Sequence, residues 1–364
     1  MIDWMVAEWI AARVAGTGSA PLPDVDLAEL ATLSEQRVTA YTGLTPAGPL
    51  PAPEGVGRRE WINANLSSMR RLMDPVLSHA RNGLGPMMPV AGLLMGGVAS
   101  SEVGLLMGYM AQRVMGQYEL VLTTEDSDPP RLLFVLENLG KAIQTFDADE
   151  KEFMTWVALH EVTHAVQFGG VPWLQGYLAG LVRELMASAE QRANRAGRAS
   201  SGPAAAAGLP ARVSLPSRES LPSREELARM AGALRRGDLI GLVASDGERE
   251  VIDRVQAVMA VIEGHAEHVM DAVAPDLIPS LDKLRSALDE RRKSQGRMGR
   301  LVARLIGLEL KLRQYERGKV FCDHVAKAGA LDRVFESPDQ LPTLEEIEAP
   351  ELWLERVGAA APAG

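Results

Sequence analysis

The chain has 364 residues, of which 46% are hydrophobic and 24% are charged, and this composition is that of a globular protein with a large core. Its net charge of −10 excludes a strongly basic surface, so we expect no nucleic acid partner. Cys322 is the single cysteine, which excludes internal disulfides and cysteine-rich metal sites and favours a cytoplasmic location.

The N-terminal residues predict a short amphipathic helix and not a secretory signal, because Asp3 and Glu8 precede the first arginine. The most apolar segment is 84–111, which is interrupted by Pro86 and Glu102. A membrane span needs about 20 mostly apolar residues with few interruptions. The segment therefore predicts buried helices packed closely through Gly and Ala, and we expect no membrane contact.

Two short segments, 118–123 and 131–137, predict the strands of a small sheet, and a loop rich in proline and glycine is predicted over 43–57. The second strand belongs to the stretch LLFVLENL. We expect it to be the sheet edge that receives an extended peptide, with Asn138 assisting.

Apolar residues at helical spacing cover most of the remaining chain. A helix over 147–168 begins with Asp149 and Glu152, a capping-box pattern, and ends near Gly169. Further helices are predicted over 173–191, 248–273, 280–293, 297–317 and 345–357. These elements predict a mainly α (α+β) fold.

We expect one domain over residues 1–364. The segment 195–225 is rich in Gly, Pro, Ala and Ser and ends in a direct repeat of SLPSRE. Such a segment buries too little apolar surface to order itself, so it predicts a flexible low-complexity insertion within the domain.

The stretch LHEVTHAVQF at 159–168 places two of the 6 histidines four residues apart. On a helix, His160 and His164 lie one turn apart on the same side, so their ring nitrogens can bind a single Zn²⁺. Glu161 lies beside the pair, where its carboxylate can act as general base on a water at the metal. The alternative is a pair of core histidines that donate to backbone carbonyls.

The segment EGHAEHVMD at 263–271 offers a third ligand. Glu263, Glu267 and Asp271 follow one another at intervals of four residues and therefore share one helix face. We expect Glu263 to bind the metal and Glu267 to accept the free ring N–H of one histidine; the rival assignment makes Glu267 the ligand and Asp271 the acceptor. Gly264 is expected where a second helix approaches closely, as a metal shared by two helices requires.

Hydrolysis of a carbonyl compound also needs a donor to the developing oxyanion. Tyr315 is one candidate for this catalytic role, and His265 is the other. We expect His268 to be structural.

The motif HEVTH at 160–164 followed by EGHAE at 263–267 resembles the gluzincin side of the zincin metallopeptidases, which pair an HExxH helix with a later ligand glutamate. Together with PWL at 172–174 and KLRQYERGKVF at 311–321, these stretches are similar to the zincin-like metallopeptidase family of actinobacteria. Some members of that family are labelled as associated with coenzyme F-420 biosynthesis. The 98 residues between His164 and Glu263 exceed the connection of typical gluzincins.

The resemblance implies a zincin-like fold with a small sheet before the HExxH helix, a bound Zn²⁺ and hydrolysis of a peptide or protein substrate. The alternative is a non-catalytic protein with a degenerate zincin site that binds zinc or a partner. A third reading, a binder of an anionic small molecule, lacks a glycine-rich phosphate loop after a strand.

Overall fold

The structure of the protein is a computed structural model that describes residues 2–83, 89–120, 129–200, 246–294 and 308–358. Side chains are described at these positions except within 75–96, 192–246 and 288–315. The described chain is mainly helical with one small sheet, which confirms the predicted mainly α (α+β) class.

The first half of the chain contains the sheet and the helix that carries the HEVTH motif. Its elements are α1 (Trp4–Ala15), α2 (Leu27–Thr42), β1 (Pro53–Val56), α3 (Arg58–Gly83), α4 (Pro89–Ala111), β2 (Gly116–Glu119), β3 (Arg131–Val135), α5 (Leu136–Phe146) and α6 (Glu150–Gly170). The later helices are α7 (Leu174–Ser200), α8 (Asp246–Val273), α9 (Leu281–Ser294), α10 (Leu308–Lys327), α11 (Leu344–Glu348) and α12 (Pro350–Arg356).

The sheet has the strand order β1-β3-β2, with β1 parallel and β2 antiparallel to β3. The expectation that β3 is the receiving edge is therefore wrong, because β3 is paired on both sides. The strand also ends at Val135, and Leu136 begins α5, so only the first half of LLFVLENL is extended. Asn138 is buried and binds Arg58 and backbone carbonyls of 111 and 114, so it is structural.

The sequence prediction also missed β1, which lies inside the predicted loop over 43–57. A proline at the first residue of an edge strand is tolerated, because no partner needs its missing N–H. The strand β2 begins at Gly116, two residues before the predicted start, and residues 121–128 of this region lie outside the described residues.

Helix α6 begins where Asp149 accepts a hydrogen bond from the backbone N–H of Glu152 at 2.9 Å. The capping box is incomplete, because the Glu152 carboxylate instead accepts from the backbone N–H of Ser280 at 2.8 Å. From Phe153 to Gln167 the helix is buried except at Trp156 and His160. These two positions are four residues apart, so α6 opens to its surroundings along a single stripe.

Helix α4 packs against α1 through glycines, as predicted for the apolar segment, but the predicted burial is incomplete, since Val98 is 59% and Leu105 is 54% exposed. A Cβ at Gly104 would lie 2.7 Å from the backbone oxygen of Ala7, and a Cβ at Gly108 would lie 2.6 Å from Cβ of Val14. Among the described residues, no helix has the length and apolar content needed to span a bilayer.

Three other predicted helices have different bounds. Helix α7 continues to Ser200, through the first residues of the predicted insertion, and 201–225 lie outside the described residues, so the insertion stays a prediction. Helix α10 ends at Lys327, beyond the predicted end at 317, while 297–307 lie outside the described residues. The predicted C-terminal helix is divided at Pro350, because proline cannot donate to a continuous helical ladder.

Candidate metal centre

Two histidines from α6 and one carboxylate from α8 meet at a single point. The Nε2 atoms of His160 and His164 are 3.3 Å apart, and Oε2 of Glu263 lies 3.8 Å from the first and 3.7 Å from the second. One donor atom from each side chain lies within 4.8 Å of the other two, and among the described residues this is the group found with metal-binding spacing. The structure therefore brings together all three predicted metal ligands.

The donor set fits a divalent cation. Two unprotonated imidazole nitrogens repel each other at 3.3 Å unless a proton or a cation lies between them. Two imidazole nitrogens and a carboxylate oxygen, with one direction left open, are the ligands of a catalytic zinc of the His₂Glu type. His160, His164 and Glu263 would hold such an ion.

The three side chains strongly shift one another's pKa values. Burial and the neighbouring His164 lower the pKa of His160 to about 4. Burial also acts to lower the pKa of His164, but its hydrogen bond to Glu263 and the charges of Glu263 and Glu161 raise it to about 9. Burial acts to raise the pKa of Glu263, and the hydrogen bond and charge of His164 lower it below its usual value. The carboxylates of Glu263 and Glu161 therefore favour positive charge at His164.

Each histidine is oriented through its other ring nitrogen. Nδ1 of His160 lies 3.3 Å from Sδ of Met270, and Nδ1 of His164 lies 2.9 Å from Oε1 of Gln167. The predicted acceptor, Glu267, lies in the wall of the adjacent cavity, and Met270 and Gln167 are the residues found at the two Nδ1 atoms. Gln167 was not identified from the sequence, although its position three residues after His164 on a helix is a signal that could have found it.

Glu161 is almost fully buried, and its carboxylate is held beside β2. Oε2 accepts a hydrogen bond of 3.0 Å from the backbone N–H of Tyr118. Burial raises the pKa of Glu161 to about 7, against the lowering effects of His164 and of the Tyr118 hydrogen bond. A carboxylate with a pKa near neutrality is suited to exchange protons with a substrate and with water.

A cavity of about 480 Å³ opens in front of these residues. Its wall is formed by Met115, Gly116, Trp156, Val157, His160, Glu161, Glu263, Glu267, Met270, Asp271, Arg285 and Lys319. The wall has an apolar part, formed by Met115, Trp156, Val157 and Met270, and a charged part that includes Asp271, Arg285 and Lys319.

The charged side of the cavity is an ion network. Asp271 pairs with Arg285 and, at 2.9 Å, with Lys319, and Lys319 also binds Asp323 at 2.6 Å. Eight residues of helix place Asp271 about 12 Å along the axis from Glu263. Asp271 is engaged by Arg285 and Lys319, and the group with metal-binding spacing contains Glu263, which favours the first assignment over the rival one.

The remaining predicted residues lie outside the cluster. His265 is buried, with its ring against Phe335 and its Nδ1 2.9 Å from Nε2 of Gln167, and it does not line the cavity. His268 lies between Asp323 and Tyr41 at 2.6 and 2.8 Å, in agreement with a structural role. The side chain of Tyr315 lies outside the described residues, so its role stays a prediction.

The predicted close approach at Gly264 exists, but its partner is α10 and not α6. A Cβ at Gly264 would lie 2.2 Å from the carbonyl carbon of Gly318, and a Cβ at Gly318 would lie 1.9 Å from the backbone oxygen of Ala260. The two glycines thus allow α8 and α10 to touch, and this contact brings Lys319 into the cavity wall.

A helix-borne HExxH pair joined by a carboxylate from a later helix is the arrangement of the zincin-type metallohydrolases. The family model for zincin-like metallopeptidases matches residues 2–354, and the chain belongs to that family. The actinobacterial branch and the link to coenzyme F-420 stay predictions.

Among solved structures, the chain is similar to a protein from Chloroflexus aurantiacus described as a candidate hydrolase with a novel fold. The two are 27% identical, the match covers 98% of this chain and 99% of the other, and the TM-score is 0.67. No curated protein matches the chain. The family and this neighbour support a hydrolase.

Proposed function

We propose that the protein is a zinc-dependent peptidase of the cytoplasm in which Glu161 is the general base. The observation that supports this most directly is the convergence of His160, His164 and Glu263 at one wall of an open cavity, with the Glu161 carboxylate in the same wall. The lone, buried Cys322 is compatible with a reducing compartment.

Zinc, when bound, supplies a Lewis acid that polarises a carbonyl and lowers the pKa of a water molecule toward neutrality. Oε2 of Glu161 is held by the Tyr118 N–H, so Oε1 is the atom that accepts the proton from water. The protonated carboxyl group then donates that proton to the leaving amine nitrogen.

The strand β2 supports a peptide as substrate. In an antiparallel ladder the N–H and C=O of successive residues point alternately toward and away from the partner strand. The carbonyl of Met115 accepts from Val135 of β3, whereas the N–H of Tyr118 turns away from β3 to Glu161. The backbone of Gly116 therefore also faces away from β3, at the cavity, where an extended peptide can pair with it.

The apolar part of the wall supports a preference for substrates with an apolar side chain beside the cleaved bond. Trp156 and Val157 of α6 and Met270 of α8 line it, together with Met115. These groups favour an apolar side chain, since burying one removes apolar surface from water.

Tyr315 remains our proposed oxyanion donor. It lies on α10 four residues before Lys319, and residues at this spacing share a helix face. The presence of Lys319 in the cavity wall supports this choice.

The experiment measures zinc content by elemental analysis and hydrolysis of a mixed fluorogenic peptide library for the wild-type protein and for Glu161→Gln. We expect about one zinc per wild-type chain, and a variant that keeps its zinc and loses hydrolysis. Equal hydrolysis by the variant would exclude Glu161 as the base. Zinc bound by a wild-type protein that cleaves no peptide would favour the non-catalytic alternative.

A further inference from the structure

Gln167 is fully buried and makes polar contacts with three other residues. Its Oε1 lies 2.9 Å from Nδ1 of His164, and its Nε2 lies 2.9 Å from the backbone oxygen of Ile262 and 2.9 Å from Nδ1 of His265. Gln167 belongs to α6, whereas Ile262 and His265 belong to α8. The amide thus connects one metal-binding helix to the other, next to Glu263.

The carbonyl of Ile262 determines which way the amide points. A backbone carbonyl can only accept a hydrogen bond, so the atom of Gln167 that faces it must be the NH₂ group. The reversed amide would place two oxygens against each other in a dry interior, with the cost of an unsatisfied buried polar group. The Ile262 carbonyl therefore fixes the orientation of the Gln167 amide, whichever tautomers the two histidines adopt.

The orientation of the amide in turn determines the proton positions on both histidines. Oε1 of Gln167 can only accept, so Nδ1 of His164 must carry a proton, and Nε2 of His164, beside Glu263 and His160, is the nitrogen left to bind a metal. The second N–H of the amide points at Nδ1 of His265, which must accept. His265 is thereby held as the tautomer protonated at Nε2, with its ring against Phe335.

We propose that Gln167 is a positioning residue that imposes the metal-binding tautomer on His164, with the carbonyl of Ile262 as its fixed reference and His265 as its second support. The proposal rests on the proposed zinc site. In this proposal His265, which lies away from the cavity, supports the amide that orients a metal ligand and does not contact the substrate.

The test compares the zinc dissociation constant of the wild-type protein, Gln167→Met and Thr163→Val, measured by competition with a chelator. Methionine keeps the length of the glutamine side chain and removes its hydrogen bonds. Thr163 is buried on the same helix, and its hydroxyl donates to the backbone of Leu159, so its variant is a matched control. We expect zinc binding weaker by about 10–100-fold for Gln167→Met and unchanged for Thr163→Val.

A second readout separates positioning from general stability. In zinc-loaded protein labelled with ¹⁵N-histidine, His164 should show a protonated Nδ1 whose proton exchanges slowly with water. Gln167→Met should accelerate that exchange at His164 and leave His160, whose Nδ1 faces Met270, unchanged.

The outcomes distinguish the two proposals. Wild-type protein that binds no zinc would overturn the zinc site and the role of Gln167 together. A folded Gln167→Met variant that binds zinc as tightly as the wild type would overturn the role of Gln167 alone. If that variant does not fold, an unprotonated Nδ1 of His164 in the wild-type spectrum overturns the proposal without any variant.

Discussion

Gly116 of β2 lies directly against the Glu161 carboxylate. A Cβ at Gly116 would lie 2.5 Å from Cγ, 2.7 Å from Oε1 and 2.8 Å from Cδ of Glu161. These distances are shorter than any van der Waals contact, so the strand can approach the proposed base only because residue 116 has no side chain. The strand that we propose to bind the peptide and the carboxylate that we propose as base therefore meet at Gly116.

Gly116→Ala should lower kcat/KM by about 100-fold, because a displacement of about 1 Å at a reacting group has an effect of that size. Zinc content should stay at the wild-type value, since the three atoms nearest to a Cβ at position 116 all belong to Glu161 and not to a ligand. Steady-state kinetics with elemental analysis checks both. Gly176→Ala is the control, because nothing lies within 4 Å of a Cβ at that position; an active Gly116→Ala variant would argue against Glu161 as the base.

Glu263→Gln and Glu267→Gln should differ sharply in zinc affinity. Glu263 closes the cluster with the two histidines, whereas Glu267 lies one turn further along the cavity wall. We expect Glu263→Gln to lose more affinity than the 10–100-fold typical of an outer partner, and Glu267→Gln to bind zinc nearly as the wild type does. Isothermal titration calorimetry measures both constants. The reverse ranking would restore Glu267 as the ligand.

The stability of the metal-free protein should depend on pH through Glu161. Burial raises its pKa from the usual 4.5 to about 7. A raised carboxyl pKa means that the folded state prefers the protonated form, so the contribution of Glu161 to stability falls as the pH rises from about 4.5 to about 7 and then levels off.

Glu161→Gln removes this dependence. In urea unfolding with a chelator present, the variant should be more stable than the wild type by roughly 1–3 kcal/mol at pH 8, and the two should converge near pH 5. An equal difference in stability at both pH values would show that the carboxyl group titrates normally.

Gly318→Ala should destabilise the fold, because its Cβ would meet the backbone of α8 at 1.9 Å from Ala260 O. Neither backbone can yield without separating α8 from α10, so we expect a loss of about 1–3 kcal/mol or more in the free energy of unfolding. Urea denaturation measures this loss. Gly180→Ala, at a position with nothing within 4 Å of a Cβ, should show no such loss.

The features that were predictable depend on residues near one another in the chain. The cap at Asp149, the helix that follows it and the position of His160 one turn before His164 all follow from helical periodicity, which is a local property. Glu263 could be predicted for a similar reason, because the helix face that it shares with Glu267 and Asp271 follows from their spacing along one helix.

The features that were missed depend on pairing between distant segments. Nothing local distinguishes a central strand from an edge strand, so β3 was taken for the edge that β2 provides. The glycine at position 264 indicated a close helix contact, but the sequence did not show that Gly318 is its partner. His265 was assigned a catalytic role because its position in the sequence does not show that it contacts Gln167.

By itself, the sequence determined the chemistry of the site: which donors lie one turn apart, and which glutamate stands beside them. Only the tertiary structure decided which side chains support those donors and which strand borders the cavity. The physical reason is that helical geometry is set by hydrogen bonds between near neighbours, whereas strand order and buried polar contacts arise when segments distant in the chain pack together.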